Sequence, residues 1–164
     1  MRRFFLVLVL ATAVGAALPV AGVSARGGSD LPFAATMAGQ GTIDLVTGQG
    51  HNLLSANATH LGRSTLEEHS QIVPTGPGTF LSIGSITLTA ANGDSMSGTA
   101  VGTGTTADGA HFTFALHVAL TAGTGRFAGS ALAYDVVVHS TTLAVSGTTA
   151  TSALEATAAG SFSH

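Results

Sequence analysis

The chain has 164 residues, with 5 Arg and Lys against 8 Asp and Glu, and it contains no Cys, no Trp and no Lys. The missing Cys excludes a disulfide-stapled fold, so stability has to come from packing and from closure of the secondary structure. The sparse, mildly acidic charge excludes the basic footprint of a nucleic-acid binder and the polybasic patch that attaches a protein to an anionic membrane.

The N-terminus reads as an address. Arg2 and Arg3 form a positive start, Phe4 to Leu10 is an unbroken apolar run, and Ala11 to Gly22 continues it with small residues. Val23-Ser24-Ala25 has the small-x-small pattern of a signal-peptidase site, so residues 1–25 are expected to be a signal peptide cleaved near Ala25. The competing reading is an uncleaved anchor, but the apolar core is short for a bilayer span of about 20 residues and is interrupted by Gly15 and Pro19. The expected location is therefore outside the cytoplasm: secreted, periplasmic or in the cell-envelope space. Abundant Ala, Gly and Thr without Lys suggests a high-GC bacterial genome. What remains, Arg26–His164, carries three Arg against eight acids, a net charge of −5. It is long enough for one domain with a real core, and no later apolar run is long enough to span a membrane.

Residues 26–32 read as a flexible lead-in and 33–164 as the folded domain. Gly is scattered every few residues, helical spacing of apolar residues is missing, and Thr, Val, Ile and Phe fill the gaps as strands prefer. The expected strands are 33–46 (with Gly39 a possible break), 52–60, 63–73, 79–90, 95–104, 111–121, 127–139 and 143–162, the last with an interruption. The clearest is 111–121, where Phe112, Phe114, Leu116, Val118 and Leu120 alternate with His111, Thr113, Ala115, His117 and Ala119, the period-two pattern of a strand with one core face. Asn92-Gly93 and Asp108-Gly109 are tight-turn signals between strands. In 79–90, Leu81 and Ile83 are out of phase with Ile86 and Leu88. A bulge at Gly84 would bring both pairs to one core, and two stacked sheets would accommodate them as well. About eight short strands with tight connections imply an all-β fold, an antiparallel barrel or sandwich.

Three stretches carry a resemblance: Ala58-Thr59-His60-Leu61-Gly62-Arg63, Thr87 to Asp94 followed by Gly98-Thr99, and Ala122-Gly123-Thr124-Gly125-Arg126-Phe127-Ala128-Gly129. Together they resemble a group of bacterial secreted proteins without established activity. The third also resembles the Gly-Thr-Gly-x-Phe turn of dirigent proteins and the related turn of allene oxide cyclases. The resemblance implies a single eight-stranded antiparallel β-barrel of allene oxide cyclase-like or calycin-like type, with Phe127 plugging one end. The motif is a turn and implies little about activity, and no catalytic residue of the plant enzymes can be placed on this chain.

Candidate site residues follow from the pattern. Phe112, Phe114, Leu116 and Tyr134 could line a ligand cavity, since a barrel of eight strands either fills with side chains or holds one small ligand. His60 could be a general base at a cavity mouth or could cap its turn through a backbone carbonyl. Glu67 and Glu68 put one carboxylate on each strand face, so one could point inward and act as a functional acid, with Arg63 or Arg126 as partner. On an edge strand both would be wet. Tyr134 shares a face with Leu132, Val136 and Val138 and belongs to the core with its hydroxyl at a rim. These make His60, Glu68 and Tyr134 the candidate catalytic residues.

The seven His raise metal binding. His111 and His117 lie about 20 Å apart along one strand, too far to share an ion. A hairpin centred near Gly125 would put His111 opposite His139, within reach of one metal, but a third ligand is lacking locally unless Asp108 or Asp135 comes close. The plainer expectation is no metal and no cofactor, with these His on the polar strand faces. Asn57-Ala58-Thr59 matches a glycosylation sequon and reads as chance in a bacterial chain. The leading function is a small apolar-ligand binder or surface interaction module. The alternative is an isomerase, cyclase or dirigent-like protein acting on a hydrophobic substrate, and a dimer or trimer would suit the Thr/Ala/Gly-rich outer faces.

Overall fold

The computed structural model describes residues 30–164; the expected signal peptide and most of the lead-in lie outside the described residues. Eight strands follow in order: β1 (Leu31–Asp44), β2 (Gln49–Ala58), β3 (Gly62–Gly76), β4 (Thr79–Ala90), β5 (Ser95–Thr106), β6 (His111–Gly123), β7 (Ala131–Ser146) and β8 (Thr149–Ser163). Each pairs antiparallel with the next, and β8 pairs with β1, so the sheet is a closed up-and-down barrel. Closure leaves no unpaired edge, which is how a Cys-free β domain protects its backbone hydrogen bonds. No helix among the described residues is long and apolar enough to cross a membrane.

The two ends of the barrel differ. The β1–β2, β3–β4, β5–β6 and β7–β8 turns form one rim, and the β2–β3, β4–β5 and β6–β7 connections with the C-terminus form the other. At the second end Leu88, Met96, Val118, Leu120 and Leu132 are fully buried. There Phe127, carried inward by a 3₁₀ turn at Gly125–Phe127, meets Phe162 edge-on with ring centroids 6.2 Å apart. Arg126 lies 4.7 Å over the Phe127 ring and covers it from outside. This end is plugged by aromatic and aliphatic side chains.

Several boundaries correct the sequence reading. β1 begins at Leu31 rather than 33 and passes Gly39 without a break, pairing there with Leu54 and Leu154. β7 starts only at Ala131, because the chain must first turn Phe127 into the core and reverse at Gly129, whose φ of 81° suits glycine. It then continues to Ser146, and the hairpin to β8 is made at Gly147, again left-handed at φ 59°. The β-forming run Ser140-Thr141-Thr142, expected as a break, extends the strand instead.

Gly84 carries no bulge. β4 stays in register with β3 and β5 across it, and the irregularities fall at Pro74/Gly76, Ser97/Gly98 and Thr142/Ala144. The inward set of β4 is Phe80, Ser82, Gly84, Ile86, Leu88 and Ala90, a single unbroken phase. Leu81 and Ile83 simply face out, Ile83 with half its surface exposed. An outward apolar residue is ordinary on a protein surface, and the inward polar and small residues opposite it mark where the interior is not filled.

Candidate functional site

Inside the first end, under the β1–β2 and β5–β6 turns, is a cavity of about 300 Å³. β6 supplies Phe112, Phe114 and Leu116 on alternate positions, β4 adds Phe80, and β7 and β8 add Val138 and Leu154. Phe80 and Phe112 meet at 5.8 Å between ring centroids, and Phe112 stacks on Phe114 at 6.4 Å and 14°. Phe114 can lie flat on the wall because its cross-strand partner is Gly104; a Cβ there would run into the ring. The sequence therefore builds an aromatic wall by setting a bulky residue against a glycine, leaving the centre open.

One carboxylate enters this apolar space. Period-two alternation turns Glu68 inward from β3, where it is only 7% exposed. Its direct partner across β2–β3 is Asn52, whose Nδ2 donates to Glu68 Oε2 at 2.9 Å. Asn52 in turn lies over Gly41 of β1, where a Cβ would collide with the carboxamide. Burial pushes the Glu68 carboxyl above its ordinary value, and the Asn52 hydrogen bond opposes that only partly. Desolvation wins because a single neutral donor cannot replace the hydration of a carboxylate. Glu68 is the only ionisable side chain among the described residues lining the cavity, and Ser70, Ser82 and Ser140 place hydroxyls around it.

Tyr134 stands deeper. It is buried, packs against Phe33 with ring centroids 5.2 Å apart, and shares a small void of about 30 Å³ with Glu68 and Asn52 below the main cavity. Burial first, and then the negative charge of Glu68, raise its hydroxyl well above the ordinary value. It remains a neutral phenol throughout the physiological range.

Comparison of the chain with known protein families, curated proteins and solved structures returns no match. The site must be read from its own geometry.

The residues singled out in the sequence divide accordingly. Phe112, Phe114, Leu116 and Glu68 line one cavity, and Tyr134 lies beneath it. His60 is at the opposite, plugged end. It is exposed, holds a left-handed φ of 65°, and its Nε2–H donates to the Pro32 carbonyl at 3.0 Å, the turn-capping role rather than a place at a cavity mouth. His111 is not opposite His139: the register pairs His111 with Thr141, and Thr113 with His139. The β6–β7 connection is centred past Gly125, which shifts the pairing by two. His111 Nδ1–H instead donates to Asp108 at 2.7 Å, and His117 pairs with Asp135 at 2.8 Å, so the proposed His111–His139 metal pair has no geometric basis. Glu67 faces out and meets His51 and His69, not Arg63. Arg126 likewise lies by Asp94, Leu61 and Phe127 rather than beside either Glu.

Asn52, Phe80 and the three Ser were not recognisable beforehand. Asn52 alternates correctly with Leu54 and Ala56, but only the cross-strand register sets it against Glu68.

Proposed function

We propose that this protein is a secreted carrier or receptor for one small, mostly apolar molecule that bears a single hydrogen-bonding group. The observation that carries the reading is Glu68, the only ionisable group among the described residues lining a mostly apolar cavity of about 300 Å³. A dry apolar cavity of about 150 Å³ already holds a benzene-sized ligand, and small-molecule sites begin at about 300 Å³. The aromatic wall of Phe80, Phe112 and Phe114 takes the hydrophobic body. Glu68, oriented by Asn52, takes a hydroxyl, amide or amine, and an amine would draw it back into its ionised form.

The test uses the solvatochromic probe N-phenyl-1-naphthylamine. The expected result is a saturable one-to-one fluorescence rise that Leu116→Trp or Ser82→Leu abolishes by filling the cavity from different walls, while Ile83→Ser on the outer face leaves it intact. Circular dichroism checks that each variant is folded. A signal unaffected by the filling variants, or removed by Ile83→Ser, would overturn the reading.

A second reading rests on Glu68 and Tyr134 lining one small interior void. A carboxyl raised toward neutrality in an apolar pocket suits proton transfer, as an isomerase or cyclase of allene oxide cyclase type, or a dirigent-like guide, would need. A co-purified small molecule found by native mass spectrometry, converted by the wild type and unchanged by Glu68→Gln, would favour this reading over simple carriage.

A further inference from the structure

On the outside of the same wall, β2 and β3 bring three potential metal ligands together. His51 and His69 are direct cross-strand partners, and Glu67, two residues before His69, shares their outward face. The two imidazoles stack with centroids 4.5 Å apart and an interplanar angle of 10°. Both Nε2 atoms address one oxygen: Glu67 Oε1 lies 2.9 Å from His51 and 3.3 Å from His69. All three ligand atoms lie within 4.8 Å of one another, and among the described residues no other group of three His, Asp or Glu converges in this way.

We propose that His51, Glu67 and His69 form a binding site for one divalent transition-metal ion of the Zn²⁺, Ni²⁺ or Cu²⁺ kind.

The distances suit such an ion. Ligands about 2.0–2.1 Å from a tetrahedral metal are about 3.4 Å from each other, close to the two Nε2–carboxylate separations already present. On binding, each neutral imidazole carries its ring proton on Nδ1, which frees the two Nε2 lone pairs for one cation beside Glu67 Oε1. The stacked rings must splay to aim their lone pairs at a common point, and the exposure of the side chains, 48% for His51, 49% for Glu67 and 64% for His69, leaves room for that rotation. Two imidazoles and one carboxylate select borderline transition metals over Ca²⁺ and Mg²⁺, which take oxygen ligands. The surroundings do not compete: the register sets Thr42 of β1 beside His51, Ser85 and Thr87 of β4 beside His69 and Glu67, and Leu53 across from Glu67. Three protein ligands leave a coordination position open to water or to an incoming donor.

The remaining His make useful controls, since His117 has a carboxylate partner of its own but no second imidazole. The experiment is a calorimetric Zn²⁺ titration of the full chain without a polyhistidine tag, followed in parallel by the His ring proton signals in NMR. One ion per chain is expected, with the ring signals of His51 and His69 shifting and those of His117 unmoved. His51→Ala, His69→Gln and Glu67→Gln should each weaken binding by at least about tenfold, and His117→Ala should not. Because these positions are exposed, thermal melts are expected to show all four variants folded. Millimolar or weaker Zn²⁺ binding, binding that survives the His51→Ala/His69→Gln double variant, or an equal loss in His117→Ala would overturn the assignment.

Discussion

Glu67 and Glu68 are consecutive in the chain and serve opposite sides of one barrel wall, and consecutive residues of β2 supply their partners. Outside, His51 holds Glu67 Oε1 at 2.9 Å; inside, Asn52 holds Glu68 Oε2 at 2.9 Å. The pleat separates two carboxyls of identical chemistry into opposite environments. The hydrogen bond from His51 lowers the Glu67 carboxyl, whereas burial raises that of Glu68.

Glu68 should make the barrel pH-sensitive in a defined direction. At pH values below the ordinary carboxyl value of 4.5 both folded and unfolded chains carry a protonated Glu68, and it costs nothing. Above that value the unfolded chain ionises first, so stability falls as pH rises toward the higher folded-state value and stays lower beyond it. Glu68→Gln keeps an acceptor for Asn52 and removes the charge. Denaturation curves are expected to show the variant more stable than wild type at pH 8 and indistinguishable from it at pH 3.5. A constant difference across that range would contradict a buried, titrating Glu68.

Gly41→Ala tests how Asn52 is placed. The new Cβ collides with the Asn52 carboxamide, so Asn52 must leave Glu68 or the strands must shift. Overpacking of this kind costs about 1–3 kcal/mol, measurable as a lower guanidinium midpoint. The Glu68 carboxyl, followed by ¹³C NMR, should titrate at still higher pH once its donor is displaced.

The two barrel ends should respond differently to truncation. Leu120 is fully buried in the plugged end, and Leu120→Ala is expected to cost about 2–5 kcal/mol with little change in probe binding. Phe112 lines the cavity and stacks on Phe80 and Phe114. Phe112→Ala should cost less stability and weaken N-phenyl-1-naphthylamine binding. Equal effects on both measurements would contradict a filled end and an open end.

Asp108 organises the β5–β6 turn at the cavity rim, accepting from His111 Nδ1 at 2.7 Å and from the backbone N–H groups of His111 and Ala110 at 2.8 and 2.9 Å. Those hydrogen bonds, led by the His111 side chain, hold its carboxyl far below the ordinary value of 3.8. A lowered folded-state value contributes stability above the ordinary value and loses it as pH falls through that value and below. Asp108→Asn should therefore destabilise the barrel at pH 6, with the gap from wild type shrinking below pH 3.8 in parallel thermal melts.

The β-strand alphabet, the turn glycines and the alternation of β6 were legible in the sequence, because each depends on a few neighbouring residues. Phe112, Phe114 and Leu116 were assigned to one face by period two alone, and Glu67 and Glu68 had to part because consecutive strand residues always do. The strand count pointed to a barrel or sandwich for the same local reason. The resemblance of the Gly-Thr-Gly-x-Phe turn implied a closed barrel where strand count left barrel or sandwich open, but the β8–β1 pairing that closes it, the choice of Glu68 as the inward acid, and its contact with Asn52 came only from the tertiary structure. So did the meeting of His51 with His69, eighteen positions apart in the chain, and the separation of His111 from His139. Register decides all of these, and register is a property of two strands at once: a shift of two residues in the β6–β7 turn leaves every face unchanged and moves every partner.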